Sequence, residues 1–424
     1  MTTTQETPGH DQGEHDQGED AYPPILSGLR VLDLSHQYSG ALAASLLADF
    51  GATVLAVEHP VKKAIRTMLP RKGEESMWWK VVGRGKHLVT LNIGSEEGRE
   101  MALRLAKDVD VIIENFRPGT LERWRLGPAD FEEAGVNAVL LRISGFGQTG
   151  PARSKPGFGT VAEAMSGFAY LNGEPDGSPT FPSTTLADGV AAVFGAFGLL
   201  AALLGRHRGQ PGPAVEVVDM ALFEGLFRII PTQVAGYDQL GLLPVRPGNR
   251  LTSHGVLRNL YTTRDGRYFV VAGVGPVPVK RIMVAVGAAD LAARVDEGVM
   301  SGDPGDVEEY LNRCDEVVVD WAARHDFDEV KAAMNQADAV FQTVYNVADI
   351  VADEQYAARE DLVRVPDEAF GEILMQGVVP KFPSRDHRVR WAGPARGADN
   401  AAVYGEQLGL SQDELDRLAR EGII

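Results

Sequence analysis

Apolar runs alternate with helix-like segments along the first third of the chain. The runs at 29–35, 52–58, 86–93, 109–116 and 138–144 predict five buried strands. A helix is predicted at 40–51, and another begins at Ser95, whose hydroxyl can cap it ahead of two glutamates. This alternation indicates an α/β fold with a doubly wound parallel sheet. Ligands of such sheets bind where the strands end, which here means after Leu34, Glu58, Ile93, Asn115 and Ser144.

The pattern changes after the first half of the chain. The stretch 260–273 predicts a hairpin that turns at Asp265 and Gly266, and helical patterning follows to about residue 335. Residues 410–424 predict an amphipathic helix. We therefore predict a disordered acidic tail at 1–22, a large α/β domain at 23–230, a linker at 231–255, a small α+β domain at 256–345, and a return segment at 346–424 that completes the large domain.

Composition narrows the function classes. A chain of 424 residues is too long for a single ordinary hydrophobic core, which indicates more than one domain. A net charge of −18 argues against nucleic acid as a partner. Cys314 is the only cysteine, which fits a cytoplasmic protein without disulfides. The nine histidines are scattered, with only His10 and His15 close together, so we expect no metal site. The apolar stretch 189–205 contains four glycines, and we expect a packed helix there rather than a membrane span.

One glycine motif has the spacing of a nucleotide-binding loop. The sequence GFGQTG at 145–150 matches G-x-G-x-x-G and follows a predicted strand. A dinucleotide site also needs a helix that opens at the motif, and Pro151 and Pro156 oppose one. We therefore expect neither nicotinamide binding nor a tightly bound cofactor.

A single acid lies in the most apolar segment. Asp188 is the only charged residue of STTLADGVAAVFGAFGLLAALLG at 183–205, and an ionised carboxylate in apolar surroundings needs a partner or a use. One hypothesis makes Asp188 the N-cap of a helix that begins at Gly189. The other makes it a nucleophile that the helix terminus holds ionised. The two hypotheses are compatible.

Several segments together resemble one enzyme family. They occur in the family's order at 26–58, 85–93, 114–127 (ENFRPGTLERWRLG), 143–151 (ISGFGQTGP), 156–167, 186–189 (LADG), 246–250 (RPGNR), 261–268 and 408–424. The ordered set resembles the class III CoA-transferases, the family of formyl-CoA transferase and carnitine CoA-transferase. The resemblance covers nearly everything after residue 25.

The resemblance implies a fold, a reaction and a set of site residues. It implies a Rossmann-like large domain, a small domain and two interlocked identical subunits. Asp188 matches the family nucleophile, which forms an aspartyl anhydride and then an aspartyl-CoA thioester while CoA passes from an acyl-CoA to a carboxylic acid. The family's CoA contacts map to His36, Tyr38, His59, Leu91, Asn92, Asn115, Phe116, Arg117, Arg123 and Lys155.

The chain also departs from the family pattern. Tyr38 stands where oxalate-specific members carry Gln, and 251–259 lacks their glycine-rich loop, so oxalate specificity is not expected. One alternative is an α-methylacyl-CoA racemase, but its relatives place a histidine thirty positions before the aspartate, where this chain has Phe158. Glu163 would then be the first candidate for a second base. A non-catalytic acyl-CoA-binding protein is a further alternative.

Overall fold

The computed structural model describes residues 22–62, 65–251 and 255–424. The predicted tail, with His10 and His15, therefore lies outside the described residues except for Tyr22. The amide of Tyr22 donates to the carbonyl of Ser384 at 3.1 Å, and the Arg385 guanidinium lies 5.7 Å from the Tyr22 ring centre. Tyr22 is thus bonded to the folded part of the chain.

Short strands and helices alternate through most of the described chain. The strands are β1 (Arg30–Asp33), β2 (Thr53–Glu58), β3 (Arg71–Lys72), β4 (Glu75–Ser76), β5 (Lys86–Thr90), β6 (Val111–Glu114), β7 (Ala138–Ser144), β8 (Val215–Ala221), β9 (Val256–Thr262), β10 (Tyr268–Val274), β11 (Phe341–Thr343), β12 (Leu362–Asp367) and β13 (Gly371–Gln376). The helices are α1 (Tyr38–Asp49), α2 (Met77–Val82), α3 (Glu96–Ala106), α4 (Thr120–Arg123), α5 (Pro128–Glu133), α6 (Gly159–Met165), α7 (Phe168–Leu171), α8 (Leu186–His207), α9 (Leu222–Arg228), α10 (Gln233–Leu240), α11 (Pro276–Ala285), α12 (Ala289–Asp296), α13 (Pro304–Ala322), α14 (Phe327–Gln336), α15 (Val347–Ala352), α16 (Glu354–Ala358) and α17 (Gln412–Arg420). Short 3₁₀ turns lie at Ile65–Thr67 and Val299–Ser301, and a π-helical stretch lies at Ala401–Gln407.

The main sheet has six parallel strands in the order β5-β2-β1-β6-β7-β8. Numbered one to six along the chain, they lie in the order 3-2-1-4-5-6, which is common among doubly wound nucleotide-binding sheets. The predicted α/β class and all five predicted strands are confirmed. The sixth strand, β8, was missed because the middle of this edge strand, residues 216–219, is partly or fully exposed and carries Glu216 and Asp219.

Side chains from the end of the chain cover the outer edge of β5. Asp399 accepts the amide of Leu88 at 2.7 Å, and Asn400 accepts the amide of Thr90 at 2.9 Å. The Tyr404 hydroxyl donates to the carbonyl of Thr90 at 2.9 Å. The backbone groups that a further strand would pair with are therefore already bonded.

A second cluster of buried apolar side chains forms between Leu257 and Met334. It packs around the antiparallel sheet β11-β10-β9 and helices α11 to α14. The hairpin predicted at 260–273 is present and begins four residues earlier, at Val256. The segment predicted as a linker contains one helix, α10.

Helix α8 packs against α1, α9, β7 and β8. Its exposed apolar residues, Val193, Phe197, Leu200 and Leu204, recur at helical spacing and form one face. Among the described residues, α8 is the helix whose length and apolar composition would allow it to cross a membrane. Buried helices of other proteins meet the same criterion, so this property assigns no location.

Candidate functional site

The strand order reverses between β1 and β6, and the loops after these two strands meet there. The side chain of Asn115, which follows β6, accepts the amide of His36 at 3.0 Å and donates to the carbonyl of Gln37 at 3.1 Å. Doubly wound sheets bind their ligands at this reversal point. Asn115 therefore joins the two loops that form the crevice.

A buried ion pair supports each of these two loops. Asp33, the last residue of β1, lies 2.8 Å from the Lys86 ammonium and accepts the amide two residues further on at 3.0 Å. Glu114, the last residue of β6, lies 2.7 Å from the Arg142 guanidinium and also accepts the amide two residues on, at 2.7 Å. Burial strengthens such charged hydrogen bonds. The turns that carry His36 and Phe116 are therefore rigidly held.

A cavity of about 390 Å³ opens above the strand ends. Its floor includes the imidazole of His36 stacked on Phe116, with ring centres 4.7 Å apart and planes 13° from parallel. Trp124 meets Phe116 edge to face at 5.1 Å. Stacked rings of this kind present a flat apolar surface that suits a planar heterocycle. The lining also includes Leu34, Val57, Glu58, His59, Lys62, Trp79, Leu91, Asn92, Ile93 and Gly94.

Positive charge gathers at one side of this cavity. Glu58 pairs with Arg66 at 2.8 Å and with Arg396 at 3.0 Å, and Lys62 lines the cavity beside them. Burial, followed by the charge of Lys62, lowers the pKa values of both His36 and His59. Both histidines are therefore neutral at pH 7, and the fixed positive charge comes from Lys62 and the two arginines.

Asp188 lies in the first turn of α8, outside the cavity lining. The helix begins at Leu186 with Thr185 in the N-cap position, so the hypothesis that Asp188 caps a helix starting at Gly189 is wrong. A Cβ atom built on Gly159 would lie 2.2 Å from the Asp188 Oδ2 atom, so α6 starts directly against this carboxylate. Burial, followed by the charge of Glu163, raises the pKa of Asp188 to about 6.

Tyr38 connects the cavity to Asp188. It is the first residue of α1, two positions after His36, and its pKa is raised by burial and by the charge of Asp188. Its side chain is hydrogen-bonded to Thr185, the residue before α8. The start of α1 therefore lies between the aromatic cavity and the carboxylate.

The structure places five of the ten predicted contacts in the cavity lining: His36, His59, Leu91, Asn92 and Phe116. Asn115 lies behind them as the bridge between loops, and Tyr38 lies beside Asp188. The remaining three are not in the lining. Arg117 donates to the carbonyl of Ser154, Arg123 donates to the Thr120 hydroxyl at 3.0 Å, and Lys155 lies exposed in the turn after residue 150.

Sequence reasoning missed several residues of the cavity. Lys62 lies only three positions after His59, so the Lys62-Lys63 pair could have indicated positive charge after β2. Trp79 lies in α2 and Trp124 directly follows α4, and no local pattern marks either residue. Arg396 pairs with Glu58 of the lining from a segment more than 330 residues later in the chain.

The described residues 145–158 contain no helix, as Pro151 and Pro156 predicted.

A family model decides the assignment: the model of CoA-transferase family III matches residues 26–400. The chain belongs to CoA-transferase family III. It is therefore a CoA-transferase, an enzyme that uses CoA thioesters as substrates, and the family predicted from the ordered segments is confirmed.

Curated relatives cover almost the whole of this CoA-transferase. It is 34% identical over 407 residues to a succinyl-CoA–D-citramalate CoA-transferase of Chloroflexus aurantiacus, covering 95% of this chain and 98% of the relative. It is 34% identical over 403 residues to the beta subunit of a succinyl-CoA–L-malate CoA-transferase of the same organism, covering 94% and 98%. It is 32% identical over 360 residues to a succinyl-CoA:mesaconate CoA-transferase of Haloarcula hispanica, covering 82% and 87%.

Solved structures share the fold of this family III CoA-transferase. A CAIB/BAIF family protein from Brucella suis superposes with a TM-score of 0.78 at 25% identity, covering 91% of this chain and all of that protein. A hypothetical protein from Mycobacterium tuberculosis superposes with a TM-score of 0.74 at 26% identity, covering 90% and 100%.

Proposed function

We propose that this CoA-transferase works by covalent catalysis at Asp188. The observation that carries the proposal is the position of that carboxylate in the first turn of α8, partly buried, directly against Gly159 and one helix start away from the aromatic cavity. A carboxylate with a pKa of about 6 is ionised at pH 7 and more basic than a free aspartate. It is therefore a good nucleophile for a thioester carbonyl.

The reaction proceeds through two kinds of intermediate, and every step conserves charge. The Asp188 carboxylate attacks the donor thioester, the C–S bond breaks, and CoA leaves as a thiolate beside an aspartyl anhydride. The thiolate then attacks the Asp188 carbonyl, which releases the donor acid and leaves an aspartyl-CoA thioester. The acceptor carboxylate attacks that thioester and expels the thiolate again, and the thiolate takes the acceptor acyl group from Asp188. Exclusion of water protects both intermediates.

The cavity suits the nucleotide end of CoA. Its stacked rings, His36 and Phe116, can pack on adenine, and Lys62 lies where a phosphate group would gain a charge-assisted contact. The pantetheine arm would then run past the start of α1, beside Tyr38, to reach Asp188. This arrangement makes the six-stranded part a Rossmann-like CoA-binding domain and the second core at 256–345 a small domain.

We propose succinyl-CoA as donor and a dicarboxylic acid of four or five carbons as acceptor. The support is that three relatives are named as transferases between succinyl-CoA and D-citramalate, L-malate or mesaconate. Relatives named for oxalate and bile acids match over similar lengths at 28% and 27% identity. In transfer assays, oxalate and a bile acid therefore serve as acceptors for comparison with the four- and five-carbon dicarboxylic acids.

We further propose that the enzyme acts in the cytoplasm as an interlocked homodimer. The support is the apolar face of α8, where Phe197 is 69% exposed, together with Val234, Tyr237 and Leu240, which are exposed on α10. Exposed apolar surface of this extent marks an interface. The L-malate relatives are named as alpha and beta subunits, so pairing with a different chain is the alternative outcome of an assembly experiment.

Trapping of the acyl-enzyme tests the proposed mechanism. Incubation with succinyl-CoA followed by hydroxylamine should convert Asp188 to a hydroxamate that peptide mass spectrometry locates. The Asp188→Asn variant should show no modification and no transfer of CoA to citramalate, malate or mesaconate. Transfer at the normal rate by Asp188→Asn would refute covalent catalysis at this residue.

A deuterium experiment separates transferase from racemase. Residue 158 directly precedes Gly159, which contacts Asp188, and it is a phenylalanine whose side chain is 67% exposed. A phenyl ring cannot exchange a proton at the α-carbon of a substrate. A 2-methylacyl-CoA in D₂O should therefore gain no enzyme-dependent deuterium at C2, and rapid uptake would favour the racemase.

A further inference from the structure

Glu163 is a buried carboxylate that the proposed chemistry does not use. It lies on α6 with only 3% of its surface exposed. Its Oε1 atom accepts the amide of Ala187, the residue before Asp188, at 3.3 Å. No lysine or arginine of the described residues forms an ion pair with it. A buried acid without a cation destabilises the fold, so its presence calls for a functional explanation.

Helix α6 contacts the first turn of α8 at two points one helical turn apart. Gly159 lies against the Asp188 carboxylate, and Glu163, four residues later on the same face of α6, holds the amide of Ala187. The charge of Glu163 acts on Asp188 through this contact and adds to the effect of burial on its pKa. The burial of Glu163 and its bond to Ala187 oppose a role as the second base of a racemase.

We propose that Glu163 is a positioning residue for Asp188, which fixes the first turn of α8 and favours the acylated form of the nucleophile by repelling its free carboxylate. The inference rests on the proposed covalent function of Asp188. The anhydride and the thioester of Asp188 are both neutral at that carboxyl group. Acylation therefore removes the repulsion between two neighbouring carboxylates, just as protonation does, and shifts the equilibrium toward the covalent intermediates.

Besides α6, the elements that pack against α8, namely α1, β7, β8 and α9, carry other titratable groups. From α1, Tyr38 is uncharged at neutral pH, and the charge of Asp188 helps to raise its pKa. At the end of β8, Asp219 accepts the amide of Gln148, and in α9 Glu224 accepts the amide of Ala221 at 3.0 Å. From β7, Arg142 is paired with two glutamates, Glu114 and Glu122. Within the described part of the chain, Glu163 is the charged group whose charge raises the pKa of Asp188.

The Glu163→Gln variant tests the proposal because it keeps the shape and the acceptor for Ala187 but removes the charge. With succinyl-CoA and citramalate, L-malate or mesaconate, we expect kcat at pH 7 to fall about three- to thirtyfold, while KM for succinyl-CoA stays within about twofold. The acidic midpoint of kcat against pH should move down by about one unit. The hydroxylamine-trapped fraction of Asp188 should fall in parallel. Glu414→Gln, which alters a capping glutamate on α17, is the matched control and should change none of these values.

Including Asp188→Asn in the same experiment distinguishes failure of the inference about Glu163 from failure of the proposed function. If Asp188→Asn is inactive while Glu163→Gln has the wild-type kcat and pH midpoint, the inference about Glu163 is wrong and the proposed function stands. If Asp188→Asn is active, the proposed function itself fails. Should Glu163→Gln not fold, Glu163→Asp replaces it: the charge stays but the reach to Ala187 is lost, so kcat should fall with the midpoint unchanged. A wild-type kcat in Glu163→Asp would overturn the positioning role.

Discussion

Asp188 combines two features that normally exclude each other: it is ionised at neutral pH and it lies among apolar side chains beside another acid. Burial and Glu163 both raise its pKa, to about 6. A carboxyl group whose pKa is higher in the folded than in the unfolded protein stabilises the fold below its unfolded value, near 3.8. That contribution is lost as pH rises through about 6. At pH 7 the ionised Asp188 carboxylate therefore destabilises the fold.

Asp188→Asn should consequently be inactive yet more stable at neutral pH. Partial exposure of the site weakens the effect, so we expect a gain of up to about 2 kcal/mol in the free energy of unfolding at pH 7.5. The gain should shrink between pH 6 and pH 4, where the wild-type carboxyl is protonated. Denaturant unfolding at several pH values measures it. An equal effect of the substitution at pH 4 and pH 7.5 would contradict the raised pKa.

Transfer activity should follow the ionisation of the same group. Because only the carboxylate attacks the thioester, kcat of the wild-type enzyme should rise with pH through a midpoint near 6. A midpoint below pH 4.5, where an ordinary aspartate titrates, would show that Asp188 is not held in the environment described here. Stopped assays with succinyl-CoA, buffered at constant ionic strength, provide the measurement.

At this scale the sequence singled out Asp188, the proposed nucleophile, and predicted only part of the cavity. The lone charge in an apolar helix singles out Asp188, because the free-energy cost of burying a carboxylate can be judged from the residues next to it in sequence. The cavity residues Lys62 and Trp124 lie close in space to the predicted contacts. Loop conformations bring them there, and no periodic sequence pattern encodes those conformations. Arg117 and Arg123, predicted as CoA contacts, are bonded to the Ser154 carbonyl and the Thr120 hydroxyl and lie outside the cavity lining.

The two helices α6 and α8 carry the proposed nucleophile and the glycine that lies against it. Their closest approach depends on the absence of a side chain at Gly159, the first residue of α6. A methyl group added at Gly159 would lie 2.2 Å from the Asp188 Oδ2 atom, which is closer than two non-bonded atoms can approach. The carboxylate would have to move away from its present position.

Gly159→Ala should therefore lower kcat by about a hundredfold, since small displacements of a reacting group have effects of that size. KM for succinyl-CoA should change little because the cavity is separate. Gly305→Ala on α13, where an added methyl meets nothing within 4 Å, is the control and should retain full activity. Equal kcat values for Gly159→Ala and the wild type would show that Asp188 does not need this position.

Element boundaries show which parts of the fold local patterns determine. The five predicted strands are the four interior strands and the covered edge strand β5, and they were predicted because strands buried on both faces are continuously apolar. Helix α1 begins at Tyr38, two residues before the predicted start, and the two preceding residues, 36 and 37, are held by Asn115 of the loop after β6. The start of α8 at Leu186 likewise depends on Glu163 and Gly159 of another helix, which is tertiary information.

The assembled molecule should be a dimer held by the exposed apolar face of α8. Phe197→Asp places a charge in the centre of that face, and we expect it to shift the protein from dimer to monomer in sedimentation velocity experiments at micromolar concentration. The wild-type melting temperature should rise with protein concentration. Val319→Asp, at an exposed apolar residue of α13 outside that face, should remain dimeric. A compact, stable wild-type monomer would contradict the interlocked assembly.

The first residues should matter little to the whole molecule. Deletion of residues 1–21 should leave both the melting temperature and kcat unchanged, because these residues are too polar to join a core. The deletion must stop before Tyr22, whose amide is bonded to Ser384. A loss of several degrees in the melting temperature on deleting 1–21 would refute this prediction.

The cover over strand β5 has a consequence for synthesis on the ribosome. The strand is complete by residue 90, but Asp399, Asn400 and Tyr404, which bond its free edge, follow about 310 residues later. Throughout most of translation the nascent sheet therefore exposes an unpaired edge to neighbouring nascent chains on the same polysome. Chains that stall or are cleaved before residue 399 keep that edge unpaired permanently. We therefore expect truncated products of this gene to aggregate rather than to remain as soluble fragments.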